Sequence, residues 1–262
     1  MPVKSGFDST KEVELVLMIV SRDPRSLAEK IAGLESLAGY RLSRRPPVAI
    51  HDVYLDTSDK RLKQRRLNLR VRRQEGASWL TMKKNPGPFS WRRDERQELE
   101  IPWSQSSLDR IFQELGRKGI NLPAAKITDE SDPVETLKSS GLVVTQDRET
   151  RRESSNVLPQ AGEQVPLAEM AVDSVQYNLA AQTVSLCEVE IESKSNEGRK
   201  VLDAVKKSLQ ERFGAELRPW KHGKLVTGKA IRKLLENGEL EGQLEGGFLK
   251  TESFDKIDRA AS

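Results

Sequence analysis

Two sets of charged side chains in this sequence recur at a spacing of two. The acidic set is Glu12, Glu14, Glu98, Glu100, Asp173, Glu188, Glu190 and Glu192. The basic set is Arg70, Arg72, Lys83, Arg96, Arg148 and Arg152. In a strand, alternate residues share a face, so each short run lines its charges up on one side. Carboxylate oxygens are the ligands of hard divalent cations such as Mg²⁺ or Mn²⁺. Arginine and lysine grip phosphate oxygens. The pattern therefore suits a polyanion bound together with a divalent cation. With one cysteine, Cys187, and two histidines, His51 and His222, the chain has neither a disulfide framework nor a thiolate zinc site, and any metal is held by oxygen.

The strands that must carry these residues are legible from the same alternation. Leu67 to Glu100 holds three of them: Arg70-Val71-Arg72, Thr81-Met82-Lys83 and Arg96-Gln97-Glu98-Leu99-Glu100. Their other face is Leu69, Val71, Leu80, Met82, Leu99 and Ile101. Gln74 to Ser78 reads as a hairpin turn, and Asn85-Pro86-Gly87-Pro88 as a loop before the third strand.

Further strands are expected at Lys11–Val20, Val48–Asp56, Leu142–Arg152, Leu167–Tyr177 and Thr183–Lys194. Asp23-Pro24 is an N-cap with proline at the first helical position, followed by a stripe of Leu27, Ile31, Leu34 and Leu37. Helices are also expected around Leu108–Leu115, Pro133–Ser140, Glu197–Phe213 and Gly223–Leu235. Beyond Glu236 the chain is rich in glutamate and glycine, and residues 236–262 read as a disordered tail after a domain of residues 1–235.

Roughly eight strands in hairpin-like order, broken by amphipathic helices, give an α+β chain and are enough to close an antiparallel β-barrel. If the charged face were outside, a barrel interior would consume the apolar face and leave the helices nothing to cover. A charged lumen with amphipathic helices over the outer apolar face accounts for both features. It requires the buried charges to pair.

Composition narrows the function classes. Hydrophobic residues are 36% and charged residues 32% of 262 residues, a polar but globular balance. Forty-four basic residues against 40 acidic ones leave a net charge of +4, and aromatics are 5%, which speaks against nucleic acid as a partner. No run approaches a membrane span or a signal sequence, so the expected setting is cytoplasmic, without a membrane partner.

Six segments in order resemble the CYTH superfamily of triphosphate tunnel metalloenzymes. They are Glu12-Val13-Glu14, Tyr54-Leu55-Asp56-Thr57, Leu69-Arg70-Val71-Arg72, Leu80-Thr81-Met82-Lys83, Arg96-Gln97-Glu98-Leu99-Glu100 and Cys187 to Glu192. The resemblance implies an eight-stranded tunnel and a metal-dependent hydrolase of inorganic, thiamine or nucleoside triphosphate. The alternatives are an adenylate cyclase or a non-catalytic polyphosphate-binding module. It implies metal ligation by Glu12, Glu14, Glu188 and Glu190, with Glu98, Glu100, Asp173 or Glu192 assisting. Arg70, Arg72, Lys83, Arg96, Arg148, Arg152 and Lys224 would bind a triphosphate-bearing small molecule, and Glu12, Glu14, Arg70 and Lys83 would carry catalysis. One departure stands out: the family's Glu-x-Glu-x-Lys has Val16 in place of its lysine.

Overall fold

A computed structural model describes residues 14–84, 97–128, 132–162, 165–180, 182–194 and 198–262. Glu12 and Arg96 lie outside the described residues. The elements in chain order begin β1 (Glu14–Ile19), α1 (Pro24–Ala32), β2 (Ser36–Leu37), β3 (Tyr40–Arg44), β4 (Val48–Thr57) and α2 (Arg61–Gln64). Next come β5 (Leu67–Gln74), β6 (Ala77–Lys84), β7 (Gln97–Pro102), α3 (Gln105–Arg117), α4 (Pro133–Ser139) and β8 (Leu142–Leu158). The remainder is β9 (Ala168–Asn178), β10 (Thr183–Ser193), α5 (Gly198–Phe213), β11 (Leu217–Trp220), α6 (Lys224–Glu236), β12 (Leu244–Glu245), β13 (Phe248–Leu249) and α7 (Ser253–Ala261). The chain is thus a mixed α+β protein with a large, mainly antiparallel sheet.

It divides into two compact units, one built on Ile50–Arg148 and the other on Glu12–Ala49 with Glu149–Ser262. In the first unit the strand order is β8-β4-β5-β6-β7. β5 and β6 form the expected hairpin; Glu75 and Gly76 between them both take positive φ (51° and 76°), the backbone of a tight turn matched to strand twist. The apolar face Leu69, Val71, Leu80, Met82, Leu99 and Ile101 is buried under Leu108, Ile111 and Leu115 of α3 and Leu137 of α4. Asp132 caps α4 by accepting from the backbone N–H of Val134 and Glu135, and Pro133 opens the helix.

In the second unit the order is β11-β1-β10-β9-β8. Leu17, Ile19, Met170, Val172, Val189 and Ile191 are buried with Leu27 and Ile31 of α1 and Val201, Val205 and Leu209 of α5. Asp23 accepts from the backbone N–H of Ser26, and Pro24 begins α1, as the sequence predicts. In both units amphipathic helices cover one sheet face while alternate positions carry charge.

Two expectations are corrected. Among the described residues β7 and β11 end the strand order and are not paired with each other, so the closed eight-stranded barrel is not what the hydrogen bonding gives. Pro219 in β11 and Pro102 at the end of β7 lack a backbone N–H, which suits strands at an edge. The tail, in turn, is folded rather than disordered. β12 pairs with β13, β13 bridges to β10, and Phe254 and Ile257 of α7 are buried beside Trp220, Ile231 and Leu234. Leu240 and Leu249 join the same cluster, so a few well-placed apolar residues offset the glutamate- and glycine-rich composition.

Candidate metal and phosphate sites

In the second unit, β9 and β10 are registered so that Asp173 lies opposite Glu188 and Ala171 opposite Glu190. Directly opposed side chains sit on one face and close together, so two like charges there repel unless cations intervene. Two do. Arg152 of β8 grips Asp173 bidentately, Nε to Oδ1 at 2.8 Å and Nη2 to Oδ2 at 2.6 Å, and also pairs with Glu190. Lys224, the first residue of α6, places its ammonium 2.8 Å from Asp173 and 2.5 Å from Glu190, and pairs with Glu188 as well. A cation at a helix N-terminus opposes the helix dipole, and the three carboxylates offset that cost. The Tyr177 hydroxyl donates to the Lys224 carbonyl at 2.9 Å and fixes the backbone from which the side chain reaches.

The electrostatics follow from burial and pairing. Asp173 is fully buried and Glu188 is 2% exposed. Burial pushes Glu188 up to about 7, and the charges of Glu190 and Asp173 add to that against the opposing Lys224 ammonium. Burial also works against ionised Asp173, yet Lys224 and Arg152 outweigh it and hold its carboxyl below the ordinary range. For Lys224 burial disfavours the ammonium, but Asp173, Glu188 and Glu190 raise its pKa above that of a free lysine.

Among the described residues, Asp173, Glu188 and Glu190 are the acidic group compact enough to hold one metal ion, with ligand oxygens within 4.8 Å of one another. An all-oxygen set of this size fits Mg²⁺ or Mn²⁺, and the Lys224 ammonium already stands among the three as a cation. Glu192 is half-buried and pairs with Lys194 at 2.8 Å, outside the triad. Glu14 lies opposite Glu192 in register, and its side chain is exposed.

Val16 occupies the position of the expected lysine. It faces Glu190 across β10 on one side and Trp220 across β11 on the other. Its side chain is partly buried against the Trp220–Tyr177–Phe254 cluster. The cations that reach Glu190 are Lys224 of α6 and Arg152 of β8.

The first unit carries a second ionic cluster. Tyr54, Arg70, Thr81 and Glu100 lie opposite one another in succession across β4, β5, β6 and β7, and Asp52 lies opposite Arg72. Arg72 holds Asp52 bidentately at 2.8 and 2.9 Å, Arg148 reaches Asp52 at 2.5 Å, and Arg70 stands 3.5 Å from it. Arg70 also donates to the Tyr54 hydroxyl at 3.3 Å and pairs with Glu100 at 3.5 Å. Thr81 donates to Glu100 at 3.1 Å. The Arg148 guanidinium lies over the Tyr54 ring, 5.6 Å from its centroid.

Burial alone would raise the Asp52 carboxyl; the Arg72 hydrogen bond and the charges of Arg70, Arg72 and Arg148 hold it well below the usual carboxylate range. Lys83 is half-buried and registered opposite Glu98 of β7.

Arg70, Arg72 and Arg148 thus come together, and Asp173, Glu188, Glu190, Arg152 and Lys224 come together. Glu14 and Glu192 do not join the triad. Asp52 and Tyr54, which complete the first unit's ionic cluster, are not among the candidates read from the sequence. Asp52 is one carboxylate within the Val48–Asp56 strand, with no second acid at a spacing of two to mark its face before Asp56, and its arginine partners come from other strands.

A family model described as CYTH domain matches residues 11–217. No curated protein matches the chain. Among solved structures, a candidate adenylyl cyclase of Hippeastrum, described as showing a dominant triphosphatase activity, is 14% identical with a TM-score of 0.49. The match covers 84% of this chain and 96% of that one. A candidate adenylate cyclase of Bacillus halodurans is 17% identical over 84% of this chain and 97% of its own, with a TM-score of 0.46. A Pyrococcus horikoshii protein is 18% identical over 86% and 99%, at 0.41.

Proposed function

The chain belongs to the CYTH domain family, and on that footing we propose that it is a divalent-metal-dependent hydrolase of triphosphate-bearing small molecules. The observation that carries the reading is the Asp173–Glu188–Glu190 triad, with Asp173 and Glu188 buried and Glu190 half-buried, an oxygen cage built on two registered strands. Asp173, Glu188 and Glu190 would hold the metal, which supplies charge neutralisation at phosphate oxygens. Within the first unit, Arg70, Arg72 and Arg148, gathered by Asp52, form a cationic cluster that suits phosphate oxygens in its own right. Arg152 orients Asp173 and Glu190 through its fork of hydrogen bonds. Catalysis on this reading is positioning plus electrostatic stabilisation, as phosphoryl transfer generally is.

The working unit extends past residue 235, because Lys224 sits on α6 and α6 packs with α7. A second reading, a non-catalytic polyphosphate-binding module, draws support from Val16 and from a triad whose charge Lys224 and Arg152 already compensate.

The test is phosphate release from tripolyphosphate, thiamine triphosphate and ATP with Mg²⁺ or Mn²⁺. Release from any of the three with metal supports hydrolysis. Binding of tripolyphosphate without release supports the second reading, and cyclic AMP from ATP would redirect the assignment to a cyclase.

A further inference from the structure

We propose that the Lys224 ammonium is the resident cation of the carboxylate triad, and that it must leave before a divalent cation can enter. The inference rests on the triad being the metal centre. An ammonium has three N–H donors, and Lys224 faces three carboxylates, Asp173, Glu188 and Glu190. Those are also the three side chains whose oxygens lie within 4.8 Å of one another. A six-coordinate Mg²⁺ with ligands at roughly 2.1 Å would need the space at their centre. The point that fits the metal is therefore the point the ammonium holds, and two cations cannot share it.

Arg152 is placed differently. It binds the edges of Asp173 and Glu190 from β8, with a planar fork that holds the carboxylates in place. Lys224 reaches in on a flexible four-carbon stem while its own carbonyl is held by the Tyr177 hydroxyl, so the side chain can swing without moving α6. Once released, the ammonium becomes a free donor for phosphate oxygens. Metal loading and lysine release are then one exchange: the ammonium keeps the acidic cluster neutralised until the divalent ion takes over.

The test is Mn²⁺ titration of the full chain without substrate, followed by calorimetry and by the electron paramagnetic resonance signal of free Mn²⁺. Lys224→Gln is expected to bind one Mn²⁺ per chain at least tenfold more tightly than the wild type, and Glu188→Gln at least tenfold more weakly. In the wild type, saturating Mn²⁺ is expected to raise acylation of Lys224 by an amine-reactive reagent at least fivefold, read by peptide mass spectrometry. That second measurement decides the matter if Lys224→Gln fails to fold. Equal Mn²⁺ affinity in wild type and Lys224→Gln, or Lys224 equally shielded with and without bound Mn²⁺, overturns the exchange while leaving the metal centre standing. No Mn²⁺ bound by either protein overturns the metal centre and the exchange together.

Discussion

Glu188, the metal ligand proposed above, is placed at a cost to the fold. It is buried opposite Asp173 and beside Glu190, and burial pushes its pKa up to about 7 from an ordinary 4.5. Between those values the folded chain holds a proton that the unfolded chain has lost, so raising the pH over this window removes stability. Above about 7 both states are deprotonated there and the loss levels off. Glu188→Gln mimics the protonated form, so in metal-free protein its stability should draw ahead of the wild type from pH 4.5 to 7 and then run parallel. Denaturant melts across that range check the sign. The same variant should lower metal-dependent phosphate release more than tenfold, because it removes an anionic ligand.

Asp52 behaves in the opposite sense. Its carboxyl is held low by Arg72, Arg70 and Arg148 against the effect of burial, so its contribution is complete above the ordinary aspartate value of about 3.9 and is lost as the pH falls below it. Asp52→Asn leaves buried guanidinium groups without their carboxylate and should cost about 3–5 kcal/mol at pH 7. The gap to the wild type should narrow in acid, as chemical denaturation at pH 7 and pH 3 would show. Of these residues the alternation exposed Asp173, Glu188, Glu190 and the arginines, because repeated charge on one strand face is a strong pattern. It could not expose Asp52, whose partners come from β5 and β8.

At the scale of elements, helices with caps were the most legible. Asp23-Pro24 and Asp132-Pro133 announce their helices, and both aspartates accept backbone N–H groups as expected. Short strands were not legible: β2, β3, β11, β12 and β13 span two to five residues each, too few for any period to register. The C-terminal segment was misread because its composition is that of a disordered chain, whereas its stability comes from Leu240, Leu249, Phe254 and Ile257 meeting Trp220 and α6. Arg218 reinforces the arrangement by pairing with Asp255 and Asp258, at 2.5 and 3.0 Å. Phe254→Ala should therefore cost about 3–5 kcal/mol, the usual range for emptying a buried aromatic site. Removing residues 236–262 should lower the melting temperature by well over a few degrees. An unchanged melting curve after truncation would show that α7 contributes nothing to the second unit.

For the molecule as a whole, charge pattern predicted the strand faces and their helical cover, and the resemblance predicted the family, which the CYTH domain match bears out. Strand closure was beyond the sequence, since it depends on how the edge strands end rather than on any local period. The family assignment covers residues 11–217, while Lys224 and the segment that supports α6 lie beyond that match. The central claim is that Asp173, Glu188 and Glu190 form a metal centre that supports triphosphate hydrolysis. Its most direct test is phosphate release from tripolyphosphate by wild type and Glu188→Gln, each with saturating Mn²⁺ and again after chelation. The claim predicts release by the wild type that chelation abolishes and that Glu188→Gln reduces more than tenfold while remaining folded. Release that survives chelation, or that Glu188→Gln leaves untouched, would contradict it.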